Sequence, residues 1–259
     1  KQKDARDHIR QLHDSYNDRF DKAVAELNSN DVKSAYAAVP KLAKLADAWL
    51  DYKDLSDDKK ELKKLKKKAK KEAQTIINIL CKYIRTMPGE YTEEDLKNIG
   101  ALNSTDQDKL KNESEVRRLI FSEISDRSSE VTIENDKIST TSGPWSNFDF
   151  DFSRAPIFYP LNNLTIEKGN FSSAKFYSNA DFSGATFTQT ADFSWVTFAQ
   201  NVRFSGAIFA QNADFSWTIF AQNADFKRAT FTQNADFKRA TFTHTADFYE
   251  AAFTLTADF

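Results

Sequence analysis

From Phe171 to Phe259 a phenylalanine returns at alternating intervals of five and six residues, seventeen times without a slip. Two residues before almost every ring stands a small or β-branched residue: Ala174, Ala180, Ala185, Ala191, Val196, Val202, Ala207, Ala213, Thr218 and Ala224. A fixed internal period of this kind marks a solenoid, in which each unit buries its apolar face only against its neighbours. Side chains alternate along a strand, so the small residue and the ring two places later point the same way, inward. The rings at Phe182, Phe187, Phe193, Phe198, Phe204, Phe209, Phe215, Phe220, Phe226 and Phe231 are therefore expected in a continuous core ladder. Burying each should contribute about 1.5–3 kcal/mol.

The rest of the chain is written differently. Residues 1–127 read as a helical domain, 128–160 as a connector and cap, and 161–259 as the repeat. Apolar residues at Ile9, Leu12, Tyr16, Phe20, Val24 and Leu27 fall at helical spacing. Asn28 to Asp31 breaks that helix and caps a second, which runs through Trp49 with Pro40 either kinking or restarting it. A third helix begins after Asp57 and stops before Met87-Pro88-Gly89; shorter ones are expected at 92–98 and at 105–126, the latter led by Thr105 and Asp106. Together they predict a small antiparallel bundle. From Ser128 to Pro160 the alternation of Phe148, Phe150 and Phe152 predicts a short strand closing the first coil, with the repeat itself starting near Leu161.

A central Phe preceded two places earlier by Ala, at five-residue spacing over 161–259, resembles the pentapeptide-repeat family. That resemblance implies a right-handed quadrilateral β-helix, making the chain an α + β solenoid: a helical bundle followed by square coils. Here one residue is added at every second corner, as in Thr188-Gln189-Thr190 and Ala199-Gln200-Asn201, so one lap should take 22 residues. The blocks Arg19–Leu27, Leu42–Ala46 and Ile76–Arg85 resemble the helical segment that precedes the repeats in membrane-anchored bacterial members. That second resemblance implies an anchor before Lys1 and a place at the cytoplasmic face of a bacterial membrane. The stretch Ala35-Tyr36-Ala37 and Pro40 depart from its pattern.

A 22-residue lap makes the outward columns readable. Asp192, Asp214, Asp236 and Asp258 should stack as an acidic stripe, and Arg203 should sit among Asp181, Asp225 and Asp247. Trp195 and Trp217 should lie one above the other with Arg239 next, a candidate partner patch because Trp and Arg are enriched at interface hot spots. In the helical half, Lys59, Lys60, Lys63, Lys64, Lys66, Lys67, Lys68, Lys70 and Lys71 form one face of an amphipathic helix. A solvated face and a stripe against anionic lipid both fit it; each lysine near such a surface contributes about 1 kcal/mol.

No nucleophile with a base, phosphate loop or metal spacing is visible, so no cofactor and no enzymatic activity are expected. His8 and His13 do not share a helical face, and His244 should face solvent at a corner. The single cysteine, Cys81, leaves no disulfide framework within the chain. The expected partner is an unidentified protein, with an anionic membrane surface second, end-to-end self-association through Phe253 and Phe259 third, and nucleic acid disfavoured. The quinolone-resistance branch of the resembling family mimics DNA and binds a type II topoisomerase, which needs a strongly anionic rod. Residues 171–259 carry eight acids against six bases, a balance of only −2.

Overall fold

The computed structural model of the chain describes residues 16–51, 59–134, 137–161 and 164–259. The expectations for residues 1–15, among them His8, His13, Ile9 and Leu12, and for the helix start at Asp57 lie outside these residues. Compactness divides the chain into residues 1–77 and 78–259, not at the change of composition near 127.

In the first unit, helix α1 (16–27) is followed by α2 (Val32–Asp51) and by the start of α3 (Lys59–Arg85). Asp31 opens α2 as the sequence implies: its carboxylate accepts the Ser34 N–H at 3.0 Å and the Lys33 N–H at 3.3 Å. Pro40 lies inside α2, which runs through it unbroken. The core is aliphatic, with Ala35, Val39, Leu42, Ala46, Ala73 and Ile77 buried. Tyr16 returns to the far end of α2, donating its hydroxyl to the Leu45 carbonyl and packing 4.6 Å from the Trp49 ring.

The second unit contains the end of α3, α4 (Glu93–Lys97), α5 (Ser104–Ser125), a hairpin and the solenoid. Thr92 caps α4 in a reciprocal box with Asp95. Helix α5 is capped by Asn103, whose Oδ1 accepts the Asp106 N–H at 3.0 Å, so the expected leaders Thr105 and Asp106 stand inside the first turn. The hairpin pairs β1 (Glu130–Glu134) with β2 (Lys137–Thr141), two strands within what the sequence presented as a connector.

Among the described residues the solenoid has nineteen two-residue strands in four parallel sheets, one per wall. Partners from Asn170 onward are 22 residues apart, as in Thr197 with Ile219 and Asp214 with Asp236. The first lap is shorter: Phe150 pairs with Gly169 and Pro156 with Lys175, a step of 19. Coiling therefore begins at Phe150, ahead of the start expected near Leu161, and about five laps follow. Leu161 contributes an isolated bridge to Ala180.

Inside, rings of successive laps stack face to face, as in Phe193–Phe215 at 5.0 Å and Phe209–Phe231 at 4.7 Å. Rings of opposite walls meet edge to face, as in Phe204–Phe215 at 5.4 Å. Both are favoured aromatic geometries, adding about 0.5–1.5 kcal/mol per pair to burial. The ten rings from Phe182 to Phe231 named above are all buried, while Phe242, Phe248 and Phe253 are half-buried and Phe259 is exposed.

One column continues beyond the coils. Phe171 stacks on Phe152 (5.1 Å), and Phe152 packs at a tilt of 38° against Phe121 of α5 (4.8 Å). Helix α5 thus closes the N-terminal end that an open solenoid would expose. Buried Arg117 ties it down, donating to the carbonyls of Ile84 (2.9 Å) and Thr86 (2.8 Å) and to Glu113 Oε1 (2.8 Å). A second buried tie joins the Ser129 N–H to Glu167 Oε1 at 2.6 Å.

Candidate interaction site

Each lap turns two kinds of corner. At one kind the chain reads Asp-Phe-Xaa-Xaa, with Ser or Lys third. The aspartate accepts the N–H two residues on: Asp192 from Ser194 (2.9 Å), Asp214 from Ser216 (2.8 Å), Asp236 from Lys238 (2.8 Å). This is an Asx turn, in which a short side chain supplies the acceptor that starts the bend. Phe193 is then sealed inside and its carbonyl accepts the Val196 N–H at 3.2 Å. Such a turn needs a positive φ at its third residue, the place glycine ordinarily takes.

At the corner column opposite, Gly184 and Gly206 occupy that place with φ of 65°. At this column it is held by Arg154, Ser173, Trp195, Trp217 and Arg239, with φ of 60°, 60°, 59°, 59° and 60°. Their backbones hang from one another in order. Arg154 N–H donates to Ser172 O (2.9 Å), Ser173 to Ser194 O (2.8 Å), Trp195 to Ser216 O (2.9 Å) and Trp217 to Lys238 O (3.0 Å). Equal φ values start the five side chains from the wall in the same way.

The structure brings the three predicted patch residues together. The Trp195 and Trp217 rings stack at 4.4 Å and 8°, and the Arg239 guanidinium lies 4.4 Å from the Trp217 ring. Both indoles remain open to solvent, Trp195 at 56% and Trp217 at 38%. Ile219 on the adjoining wall, 43% exposed, widens the apolar surface; its outward place was not singled out in the sequence.

The acidic stripe is present as a stack, since Asp214 pairs in register with Asp192 and Asp236, and Asp236 with Asp258. Arg203 reaches Asp181 at 3.7 Å. Bases elsewhere meet acids of the next lap: Lys227 with Asp247 (3.0 Å), Lys238 with Asp258 (2.9 Å) and Arg228 with Glu250 (2.8 Å). These pairs leave the wall a mosaic of both signs. Hydrogen bonding from the Tyr249 N–H, and next the Lys227 ammonium, hold the Asp247 carboxyl below its usual range.

On α3 the side chains of Lys60, Lys63, Lys64, Lys66, Lys67, Lys68, Lys70 and Lys71 are exposed, while Ala69, Ala73 and Ile76 are buried. The Lys59 side chain lies outside what is described. Lys68 covers the Trp49 ring at 5.7 Å. No helix among the described residues is long and apolar enough to cross a membrane.

His244 is exposed, its Nδ1 3.2 Å from the Thr243 hydroxyl. Among the described residues no group of three His, Cys, Asp or Glu side chains could hold a metal ion. Burial pushes the Cys81 thiol up to about 12, far from a thiolate nucleophile. The acids of the α4 turn have structural partners: Asp95 is held low by the Thr92 hydroxyl and N–H, and Glu93 by Lys175.

A family model described as pentapeptide repeats, in nine copies, matches residues 171–216 and 218–259. Neither the curated proteins nor the solved structures gave a match. A pentapeptide-repeat β-solenoid is generally a non-catalytic fold with an interaction or structural role.

Proposed function

We propose that this chain, whose residues 171–216 and 218–259 are pentapeptide repeats, is a scaffold that docks another protein on the Trp195–Trp217–Arg239 corner. The observation that carries this reading is the pair of stacked, solvent-open indoles standing where the turn geometry favours glycine. Stacking with Arg239 is worth only about 0.5–1 kcal/mol at an exposed site. A left-handed residue with a side chain costs about 1–2 kcal/mol, so stability alone gives little reason to keep two tryptophans there. Large aromatic and guanidinium groups on a rigid wall are what protein interfaces use as anchors.

The lysine face of α3 and the resemblance of the helical blocks support a second element of the proposal: tethering at the cytoplasmic face of a bacterial membrane, with anionic lipid against the lysines. The near-neutral, cross-paired wall weighs against DNA mimicry and topoisomerase binding.

The test compares partner capture by the wild-type chain and by Trp195→Ala/Trp217→Ala, with far-UV circular dichroism verifying the coils. Loss of one specific protein in the double variant supports the corner; undiminished recovery of every captured protein refutes it. For the lysine face, sedimentation with phosphatidylglycerol vesicles should fall when Lys63, Lys64, Lys66 and Lys67 become Glu, and equal binding discards the lipid contact.

A further inference from the structure

The five-residue corner column is filled unevenly. Trp217 is sandwiched between the Trp195 indole below one face and the Arg239 guanidinium at the other, each 4.4 Å away. Trp195 has Trp217 on one face only. The next rung on its other side is Ser173, and the rung beyond that is Arg154. A rung of this ladder is about 5 Å, as the Phe152–Phe171 (5.1 Å) and Phe171–Phe193 (5.0 Å) stacks in the same laps show. The backbones of Arg154 and Trp195 are therefore about 10 Å apart, twice the usual strand spacing, with the same φ at each. The column itself supplies only the Ser173 hydroxymethyl group at the rung between them.

We propose that this gap is a binding slot for one aromatic side chain of a partner protein, stacked face-on against Trp195 with Arg154 above it. The column carries its own template for the occupant: indole, ring, guanidinium is the order already realised by Trp195, Trp217 and Arg239. An aromatic guest at the Ser173 rung would complete the mirror order Arg154, ring, Trp195. Arg154 is exposed and has no ion-pair partner among the described residues, so it is available to cover the guest. A guanidinium is drawn to the electron-rich face of an aromatic ring, whereas an aliphatic side chain would leave that attraction unused.

The surrounding surface is already concave. On the Arg154 side of this rung a depression of about 360 Å³ opens beside Arg154 and Ser173, walled by Arg85, Met87, Glu93 and Tyr177; Trp195 lies outside its lining. Its neighbouring charges are compensated: Lys175 is held by Glu93 at 2.6 Å, and Arg85 pairs with Asp151. An uncharged ring therefore suits the slot better than an anion, which would have to compete with Glu93 and Asp151.

This inference rests on the reading of the tryptophan corner as a docking site, and its test is separable from that reading. The full chain, labelled with nitrogen-15, is titrated with N-acetyl-L-tryptophanamide while the four indole N–H resonances are followed, with Trp195 assigned through Trp195→Phe. A saturable ring-current shift is expected at Trp195, with Trp49 and Trp145 unmoved. It should vanish in Ser173→Trp, which fills the rung with the chain's own ring in a backbone that accepts Trp at the next two rungs. Ser173→Arg, copying the residue of the rungs at 154 and 239, should abolish it as well. No saturable shift in the wild type, or the same shift in either filled variant, overturns the slot. Should the shift fail while the double alanine variant still loses its partner, the slot falls and the corner stands. The reverse pattern removes the corner and keeps the slot.

Discussion

Replacing Trp195 by glycine should leave the protein more stable than replacing it by alanine, the opposite of the order expected at an ordinary strand position. Both changes remove the same stack, the 4.4 Å contact with Trp217, and with it about 0.5–1.5 kcal/mol. Alanine keeps a Cβ at φ of 59° and so keeps the cost of a left-handed residue, about 1–2 kcal/mol. Glycine sheds that cost and gives back part of it, about 0.4–1 kcal/mol, through the greater freedom of its unfolded chain. The glycine variant should thus exceed the alanine variant by roughly 0.5–1 kcal/mol. At a slope near 2 kcal/mol per molar, that is a difference of about 0.3–0.5 M in urea midpoint. Urea denaturation of the full chain, followed by the β signal in circular dichroism, reads it directly. An alanine variant equal to or more stable than the glycine variant would mean that the backbone at this corner imposes no penalty beyond the roughly 0.4–1 kcal/mol that glycine gives back. The argument that tryptophan is kept there against local preference would then be lost.

Two further expectations concern the carboxylates. Asp214→Asn should keep the Ser216 N–H bond, as Asn170 does natively with Ser172 at 2.9 Å, and stay within about 0.5 kcal/mol of wild type, while Asp214→Ala should lose about 1 kcal/mol; equal stability of the two variants would show that the stripe serves by charge and not by turn formation. Stability should also fall in acid, because Glu93 beside Lys175, Asp95 in its capping box and Asp247 all have carboxyls held below their unfolded values. A depressed folded value contributes stability above the unfolded pKa, about 4, and loses it as pH drops through the folded one. The urea midpoint should be level from about pH 8 to pH 5 and decline below that, and a midpoint unchanged at about pH 3 would contradict it.

The solenoid was readable because its constraint is one-dimensional. Each ring needs only the ring one lap away, so a fixed interval in sequence becomes a fixed contact in space, and the stacks at 22 residues follow. The same logic explains where reading stopped. Between Phe152 and Phe171 the step is 19, so Phe150, Ile157, Leu161 and Ile166 carry the first lap without keeping the interval that identifies the later ones. Helix α5 was legible as a helix, yet nothing in its own pattern says that Phe121 will meet Phe152. That contact depends on which end of the coil must be closed. The hairpin had a local signal, Val131 and Ile133 alternating with polar neighbours and followed by Ile138 and Thr140, but it lay in a stretch too polar to stand out.

Signals for the corner column were also present in the letters. Gly184 and Gly206 stand two residues after Phe182 and Phe204, marking the place where φ turns positive; Trp195 and Trp217 stand two residues after Phe193 and Phe215. Because the two columns share a turn, they form an internal comparison. One is filled by the residue the backbone prefers at its first two rungs, the other by the bulkiest residue available. A solenoid interior leaves little choice of side chain, since every inward position must be small or aromatic to close the lap. Selective information is therefore carried where the occupant departs from what the turn would choose. Every rung of this column departs from glycine, and the two bulkiest occupants, Trp195 and Trp217, fall on adjoining rungs with the Arg239 guanidinium on one side and Ser173 on the other. Chance placement of surface tryptophans would not favour the strained rung over the unstrained positions on either side. Their concentration there is the reason the proposed docking surface is this corner and not the acidic stripe, because that stripe is already accounted for by the turns it builds.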